Sequence, residues 1–214
     1  HYSYLVVSGN EAVVVDPGRD VSAYLEAAKQ QGVTIKSVWL SHSHADFVAG
    51  HIEFAEQLSV PIQISARANA GYPHRALKEG DTLEVGDAVL KLLETPGHTL
   101  DSMCAVVSSK QQPARPLALL SGDTLFIGSV GRPDLLGDDM AASTLAGMMY
   151  DTWTNKLAPL NDDVLVLPAH GAGSLCGAHL ADVPVSTIGE QKQSNPYAKY
   201  TNRSEFIAAV LEDL

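Results

Sequence analysis

The opening pattern of hydrophobic and polar positions predicts a β-hairpin followed by a helix. Two runs rich in β-branched and aromatic residues, 2–7 and 12–16, flank the turn-forming segment 8–11. Apolar residues then follow helical spacing at Val21, Tyr24, Leu25 and Ala28. Asp20 is expected to cap the start of this helix and Gly32 to end it.

The rest of the chain continues the same mixture of strands and helices. The pattern predicts a hairpin at 81–94 turning at Gly86-Asp87, and strands at 33–40, 61–65, 103–107, 116–120 and 164–167. Helices are predicted at 51–58, 141–157 and 202–214. In the last helix, Asn202 is expected as N-cap and Glu205 as its partner in a capping box. Strands interspersed with helices indicate an α/β protein, although periodicity alone leaves the topology open.

Composition and charge narrow the class of protein. With 214 residues, of which 45% are hydrophobic and 18% charged, one domain with a sizeable core is expected. A net charge of −11 argues against a nucleic-acid partner, because an acidic surface repels phosphates. The chain shows neither the ~18–20-residue apolar run of a membrane span nor a signal peptide. It begins with His1 inside a predicted strand, so we expect further residues upstream.

The two cysteines, Cys104 and Cys176, lie far apart and form no CxxC pair. A disulfide framework is therefore not expected, and a reducing cytoplasm is the simplest compartment.

Four predicted strands end in side chains that bind metals. Strand 33–40 leads into a cluster made of His42, His44 and Asp46. Three later strands lead, through small or turn-forming residues, into His98, Asp123 and His170. If these ends share one edge of the sheets, the imidazoles and carboxylates form a ligand set for iron, zinc or manganese.

Each position also has a structural alternative. A lone His98 or His170 is more often a hydrogen-bonded structural histidine, and a lone Asp123 a turn residue. The HxHxD cluster at 42–46 is harder to explain without a partner, because burying three such groups is costly. We therefore interpret this cluster as part of a metal site, and we apply the same interpretation to His98, Asp123 and His170. The remaining histidines are interpreted as structural: His1, His51, His74 and His179.

Four ordered motifs carry a family resemblance: SHSHADF (41–47), TPGHT (95–99), SGDTLFIGSVGRPDL (121–135) and LPAHGAG (167–173). In order and spacing they resemble the metallo-β-lactamase superfamily, which implies an αββα sandwich with a metal site at one edge of two packed sheets. Within it, the chain is most similar to the glyoxalase II and persulfide dioxygenase branch, and especially to dioxygenase domains fused to rhodanese modules. We expect residues 1–214 to be one such domain, with rhodanese modules after Leu214 in a longer native chain as one alternative.

Phe47 decides how many metals this resemblance implies. Two-metal hydrolases of the superfamily carry His at this position, whereas Phe cannot bind a metal. The resemblance then implies one Fe(II) per chain, with zinc as the alternative, on a triad of His42, His98 and Asp123. The catalytic groups implied behind these ligands, which would orient them through hydrogen bonds, are His44, Asp46 and His170.

The implied activity is oxidation of a low-molecular-weight persulfide, such as glutathione persulfide, by O₂ to thiol and sulfite. Arg132 matches the position where glyoxalase II enzymes place a cation for a glutathione carboxylate, an ordinary surface arginine being the alternative. Cys176 is either a buried small hydrophobe or a carrier of sulfane sulfur, and Cys104 is expected in the core.

Three rival functions stay open. The first is a glyoxalase II-like thiolester hydrolase that uses one zinc. The second is a metal-stabilised binding module, against which the triad argues because a scaffold has no need of open coordination positions. The third, and least favoured, is a β-lactam hydrolase. The oligomeric state is also open, with a homodimer as one alternative.

Overall fold

The structure is a computed structural model that describes residues 1–137, 140–178 and 180–214. The first sheet has the order β1-β2-β3-β4-β5 and consists of Tyr4–Ser8, Glu11–Val15, Thr34–Trp39, Ile62–Ser65 and Arg75–Leu77. The strands of the second sheet are, in chain order, β6 (Thr82–Val85), β7 (Ala88–Glu94), β8 (Met103–Ser109), β9 (Ala118–Gly122), β12 (Leu165–Pro168) and β13 (Ser186–Thr187). They lie in the order β13-β12-β9-β8-β7-β6 across the sheet.

A small separate hairpin joins β10 (Leu125–Phe126) to β11 (Ser129–Val130). The helices of the described chain are α1 (Ser22–Gln31), α2 (His51–Leu58), α3 (Ala142–Thr152), α4 (Ile188–Ser194) and α5 (Arg203–Glu212). A π-helical segment, Trp153–Leu157, extends α3, and 3₁₀ turns lie at Ala66–Ala68 and Tyr197–Lys199.

Alternating side chains in the strands produce four layers. In β2, Val13 and Val15 point toward the second sheet, whereas Ala12 and Val14 pack beneath α1 and α2 with Phe54. The second sheet divides in the same way. Its inner face contributes Leu92, Met103 and Ala105 to the core between the sheets, and its outer face contributes Cys104, Val106 and Leu119 to the core under α3 and α5. The expected αββα sandwich is confirmed.

The strand directions bring the predicted polar ends together. Strand β12 is parallel to β9, and β7 and β9 both pair antiparallel with β8. The carboxyl ends of β7, β9 and β12 therefore reach the same edge of the second sheet. The backbone ties the end of β3 to that edge, because the amide of Met103 donates to the carbonyl of Ser41 at 2.8 Å.

Most predicted elements agree with the structure to within about two residues, the usual uncertainty of element ends. The predicted caps were partly wrong. Val21, and not Asp20, is the N-cap of α1, and the Asp20 carboxylate instead accepts hydrogen bonds from Ser22. Asn202 does cap α5. The complete capping box lies at α4, where Thr187 and Glu190 exchange hydrogen bonds.

No helix in residues 1–137, 140–178 and 180–214 is long and apolar enough to cross a membrane.

Burial in the core between the sheets predicts a large difference between two leucines. Leu92 is fully buried there, whereas Leu117 is 56% exposed. Leu92→Ala should lower the free energy of unfolding by about 2–5 kcal/mol, because it leaves a cavity. The matched variant Leu117→Ala should change it by no more than about 0.5 kcal/mol. Urea denaturation measures both, and equal effects would contradict the proposed position of Leu92 between the sheets.

Candidate metal centre

Three predicted ligands meet at the shared edge. His42, His98 and Asp123 each offer a ligand atom, and these atoms lie within 4.8 Å of one another. Asp123 Oδ2 is 3.4 Å from His98 Nε2 and 3.8 Å from His42 Nε2. All three residues are buried. Two imidazoles and one carboxylate thus converge on one point, as the sequence predicted.

Hydrogen bonds on the outer ring nitrogens fix both imidazoles. His98 Nδ1 donates to the backbone carbonyl of Arg132 at 2.9 Å, which leaves the lone pair on Nε2 facing Asp123. His42 Nδ1 is 3.0 Å from the hydroxyl of Ser41. Such outer bonds set the tautomer and orientation of metal-binding histidines. The Nε2 atoms are therefore directed at the convergence point.

The convergence point fits a cation. Asp123 Oδ1 accepts a hydrogen bond from His170, but Oδ2 is buried and has no hydrogen-bond partner within the described part of the chain. A buried carboxylate oxygen in this condition is costly unless a positive group satisfies it. The donor set of two nitrogens and one oxygen suits Fe(II) or Zn²⁺, and three protein ligands leave coordination positions open.

The protonation states also favour metal binding. Burial lowers the pKa of His42 and that of His98 below the ordinary histidine value. Burial alone would raise the pKa of Asp123, but the hydrogen bond from His170 and the nearby imidazoles lower it overall. Neutral imidazoles and an ionised carboxylate are the forms that bind metals. The triad is therefore ready to accept a cation near neutral pH.

His170 connects the triad to Asp46. Its Nδ1 lies 2.8 Å from Asp123 Oδ1, and its Nε2 lies 2.8 Å from Asp46 Oδ2. Burial opposes a charge on this ring, but the hydrogen bond to Asp123 and the neighbouring Cys176 raise the pKa of His170 to about 10. An imidazolium donates from both nitrogens, which matches these two contacts. His170 thus links the Asp123 carboxylate to that of Asp46.

His44 turns away from the triad toward an aspartate that the sequence analysis missed. Its Nε2 is 2.9 Å from Asp16 Oδ1, and the same oxygen accepts the amide of Ser41. Its Nδ1 is buried without a partner among the described residues. The signal for Asp16 was present, since it ends the apolar run 12–15 just as Asp123 follows β9.

A second missed carboxylate, Asp101, fixes the loop between His42 and His44. It accepts hydrogen bonds from both the amide and the hydroxyl of Ser43, at 2.8 and 2.7 Å.

Phe47 lies on the wall of the site beside His44. Its ring stacks on His1 with the centroids 3.7 Å apart and the planes at 10°, and its centroid is 4.4 Å from that of His44. His1, which we interpreted as structural, therefore lies against the site wall. The His74 ring donates to the carbonyl of Tyr72, and the His51 ring packs against that of Tyr72 at a tilted angle of 47°, both outside the triad. His179 lies outside the described residues.

Arg132 and Cys176 lie next to each other at the site. The Arg132 guanidinium forms two 2.6 Å bonds to Asp134 and a 3.3 Å bond to the carbonyl of Leu175. Its backbone amide donates to the carbonyl of Cys176. Arg132 thus holds this loop and, through its own carbonyl, His98. Cys176 is buried, and its thiol lies close to His170 and Asp46.

Close packing at Gly131 generates a prediction about metal retention. A Cβ atom there would lie 2.0 Å from the Asp123 carbonyl oxygen and 3.0 Å from the His98 side chain. Gly131→Ala should therefore separate the triad residues, costing about 1–3 kcal/mol of stability and much of the bound metal. Gly71→Ala is the control, since nothing lies within 4 Å of its Cβ position. Elemental analysis per chain measures the effect, and full metal content in Gly131→Ala would contradict it.

Known proteins are similar to this chain in sequence and in fold. The chain is 32% identical over 175 residues to hydroxyacylglutathione hydrolase of Nitrosococcus oceani, spanning 79% of this chain and 62% of that protein. A metallo-beta-lactamase structure from Staphylococcus aureus superposes with a TM-score of 0.90 at 32% identity, over 99% of this chain and 64% of that one. ETHE1 from Myxococcus xanthus superposes with a TM-score of 0.83 at 27% identity, over 98% and 84%.

The chain thus spans less than two thirds of the first two of these relatives. The family model of the metallo-beta-lactamase superfamily matches residues 1–170, which is most of this chain. Together with the αββα sandwich and the polar edge, this match establishes that the chain belongs to the metallo-beta-lactamase superfamily.

Proposed function

We propose that the chain is a mononuclear non-haem iron persulfide dioxygenase that oxidises a low-molecular-weight thiol persulfide, such as glutathione persulfide. The balanced reaction is RSSH + O₂ + H₂O → RSH + SO₃²⁻ + 2H⁺. The observation that carries the proposal is the composition of the triad: two histidines and one aspartate, with His44 bound to Asp16. The resemblance of the four motifs to persulfide dioxygenases and the similarity to ETHE1 from Myxococcus xanthus support it.

In the proposed reaction, each residue of the site would have a distinct role. His42, His98 and Asp123 would hold Fe(II), which supplies the redox chemistry with O₂ and leaves positions for substrate. His170 holds the Asp123 carboxylate by a hydrogen bond and is itself held by Asp46. Asp16 keeps His44 away from the convergence point, and Phe47 lines the wall next to it with an apolar ring.

The expected role of Arg132 in binding a glutathione carboxylate is part of this proposal. The guanidinium is already paired with Asp134 in a two-bond fork. A substrate carboxylate would have to compete with Asp134 for this fork or bind at its rim. The thiol carrier is therefore proposed only as a class.

A glyoxalase II-like hydrolase using zinc is the second candidate. Two observations favour it: the similarity to hydroxyacylglutathione hydrolases, and the buried His44 Nδ1, which has no hydrogen-bond partner in the described chain. This nitrogen would serve as a third imidazole donor if His44 shifted toward the triad, and three histidines are a common catalytic zinc set.

Metal retention in single variants separates these ligand assignments. His42→Ala, His98→Ala and Asp123→Ala should each lose the roughly one iron per chain that a facial triad holds. His170→Ala should keep most of the iron but lose activity by about 10–100-fold, as expected for groups behind the ligands. His44→Ala should also keep the iron, because its ring is bound to Asp16. Loss of metal from His44→Ala as complete as that from His42→Ala would favour the three-histidine zinc site.

Product analysis separates the two reactions. Protein purified without oxygen should consume O₂ with glutathione persulfide and release sulfite, with little hydrolysis of a hydroxyacylglutathione thiolester. His74→Ala is the matched histidine control and should retain activity, because its ring is held by Tyr72 outside the triad. Thiolester hydrolysis without sulfite formation, in protein loaded with either iron or zinc, would overturn the dioxygenase assignment.

A further inference from the structure

Buried side chains join the loops that carry two of the triad ligands. Thr95 lies three positions before His98, and Thr124 directly follows Asp123. The two threonine hydroxyl oxygens are 2.9 Å apart, and Thr95 Oγ1 is 3.4 Å from the sulfur of Cys104. We propose that this hydroxyl–thiol network, made of Thr95, Cys104 and Thr124, holds the two ligands at the spacing that a metal requires. This role rests on the triad as the metal centre and is independent of the reaction proposed for it.

The direction of the hydrogen bonds in the network follows from its last member. Cys104 Sγ donates to the carbonyl of Ser121 at 3.4 Å. Because a thiol has one proton, the sulfur can only accept from Thr95. The Thr95 hydroxyl therefore gives its own proton to Cys104 and accepts from Thr124. Burial raises the pKa of the Cys104 thiol to about 11, so the thiol keeps its proton at neutral pH.

The network begins and ends on the two sides of Asp123. Thr124 is its first donor, and the Ser121 carbonyl is its last acceptor. The same carbonyl also accepts the Thr124 amide at 3.0 Å, which closes a turn over Gly122 and Asp123. Gly122 adopts a left-handed φ of 52° within this turn, a conformation that glycine favours. The turn that presents the Asp123 carboxylate is therefore held at both ends.

The network holds the His98 loop through Thr95. This residue directly follows β7, and its amide donates to the carbonyl of Ser102 at 2.9 Å. Thr95 and Cys104 are fully buried, and Thr124 is 4% exposed. A buried hydroxyl that loses its partner is costly, so the connected bonds favour one spacing of the two loops. These three residues touch no metal ligand atom and act by positioning the ligands.

Two substitutions at Thr124 separate hydrogen bonding from packing. Thr124→Val keeps nearly the same shape without the hydroxyl, whereas Thr124→Ser keeps the hydroxyl without the methyl group. Thr124→Val should weaken metal binding by about 10–100-fold, the effect expected for groups that orient metal ligands. Thr124→Ser should bind metal as tightly as the parent protein. The control is Thr34→Val, at an exposed position that begins β3, and it should change nothing.

Two measurements report on the metal centre rather than on stability. Chelator competition with iron-loaded protein gives the affinity, and the visible spectrum of Co²⁺-loaded protein reports the geometry of the ligands. Both should change in Thr124→Val and be restored in Thr124→Ser. A Thr124→Val variant that is less stable in urea but has the parent affinity and spectrum would overturn the proposal. Equal loss of metal in both variants would also contradict it, because the methyl group would then be responsible.

Infrared spectroscopy covers the case in which Thr124→Val fails to fold. Cys176→Ala leaves Cys104 as the only thiol of the chain and keeps both threonines. The S–H stretch of Cys104 should then lie at the lowered frequency of a thiol that donates a hydrogen bond. A band at the frequency of a free thiol would exclude the network.

Discussion

The buried carboxylate of Asp123 is the group on which the arrangement of the site depends. It follows β9, an inner strand of the second sheet, so its backbone is fixed by neighbours on both sides. One oxygen is satisfied by His170, while the other faces the His42 and His98 nitrogens. A buried carboxylate oxygen without a donor is costly unless a positive group satisfies it. Within the described chain, Asp123 Oδ2 is such an oxygen, and it lies at the edge where four strand ends meet.

The supporting contacts explain how loops can hold such a group in place. Asp16 and Asp101 both bind the loop that carries His42 and His44, through Ser41, Ser43 and the His44 ring. Asp16 does so from a left-handed conformation with φ at 48°, which is uncommon outside glycine and is tolerated best by Asn and Asp. Because these contacts come from β2 and from the segment after β7, the two sheets must pack before the site can form.

The layers and the triad could be predicted from the sequence for physical reasons. The same reasons explain which strands and residues could not be predicted. The continuous apolar runs in β2 and β8 indicate strands buried on both faces, so these strands could be predicted. The two-residue strands β10, β11 and β13 are too short to show any pattern. His98 and Asp123 follow apolar runs, and this position identifies them as candidate metal ligands. Asp101 follows no such run, and the pairing of Arg132 with Asp134 depends on side-chain geometry. The approach of Cys176 to Asp46 spans 130 positions of the chain, which only tertiary packing brings together.

Phe47 predicts a single metal because its ring cannot bind one, yet it replaces only one of the polar groups at this edge. The aromatic ring removes a donor from the position after Asp46, but it leaves the Asp46–His170 pair in place with a thiol beside it. Within the described chain, the triad itself is all nitrogen and oxygen, a donor set that accepts iron as well as zinc. The metal found in a purified sample therefore says less about the reaction than the product does, because only release of the sulfur product separates dioxygenase chemistry from hydrolysis.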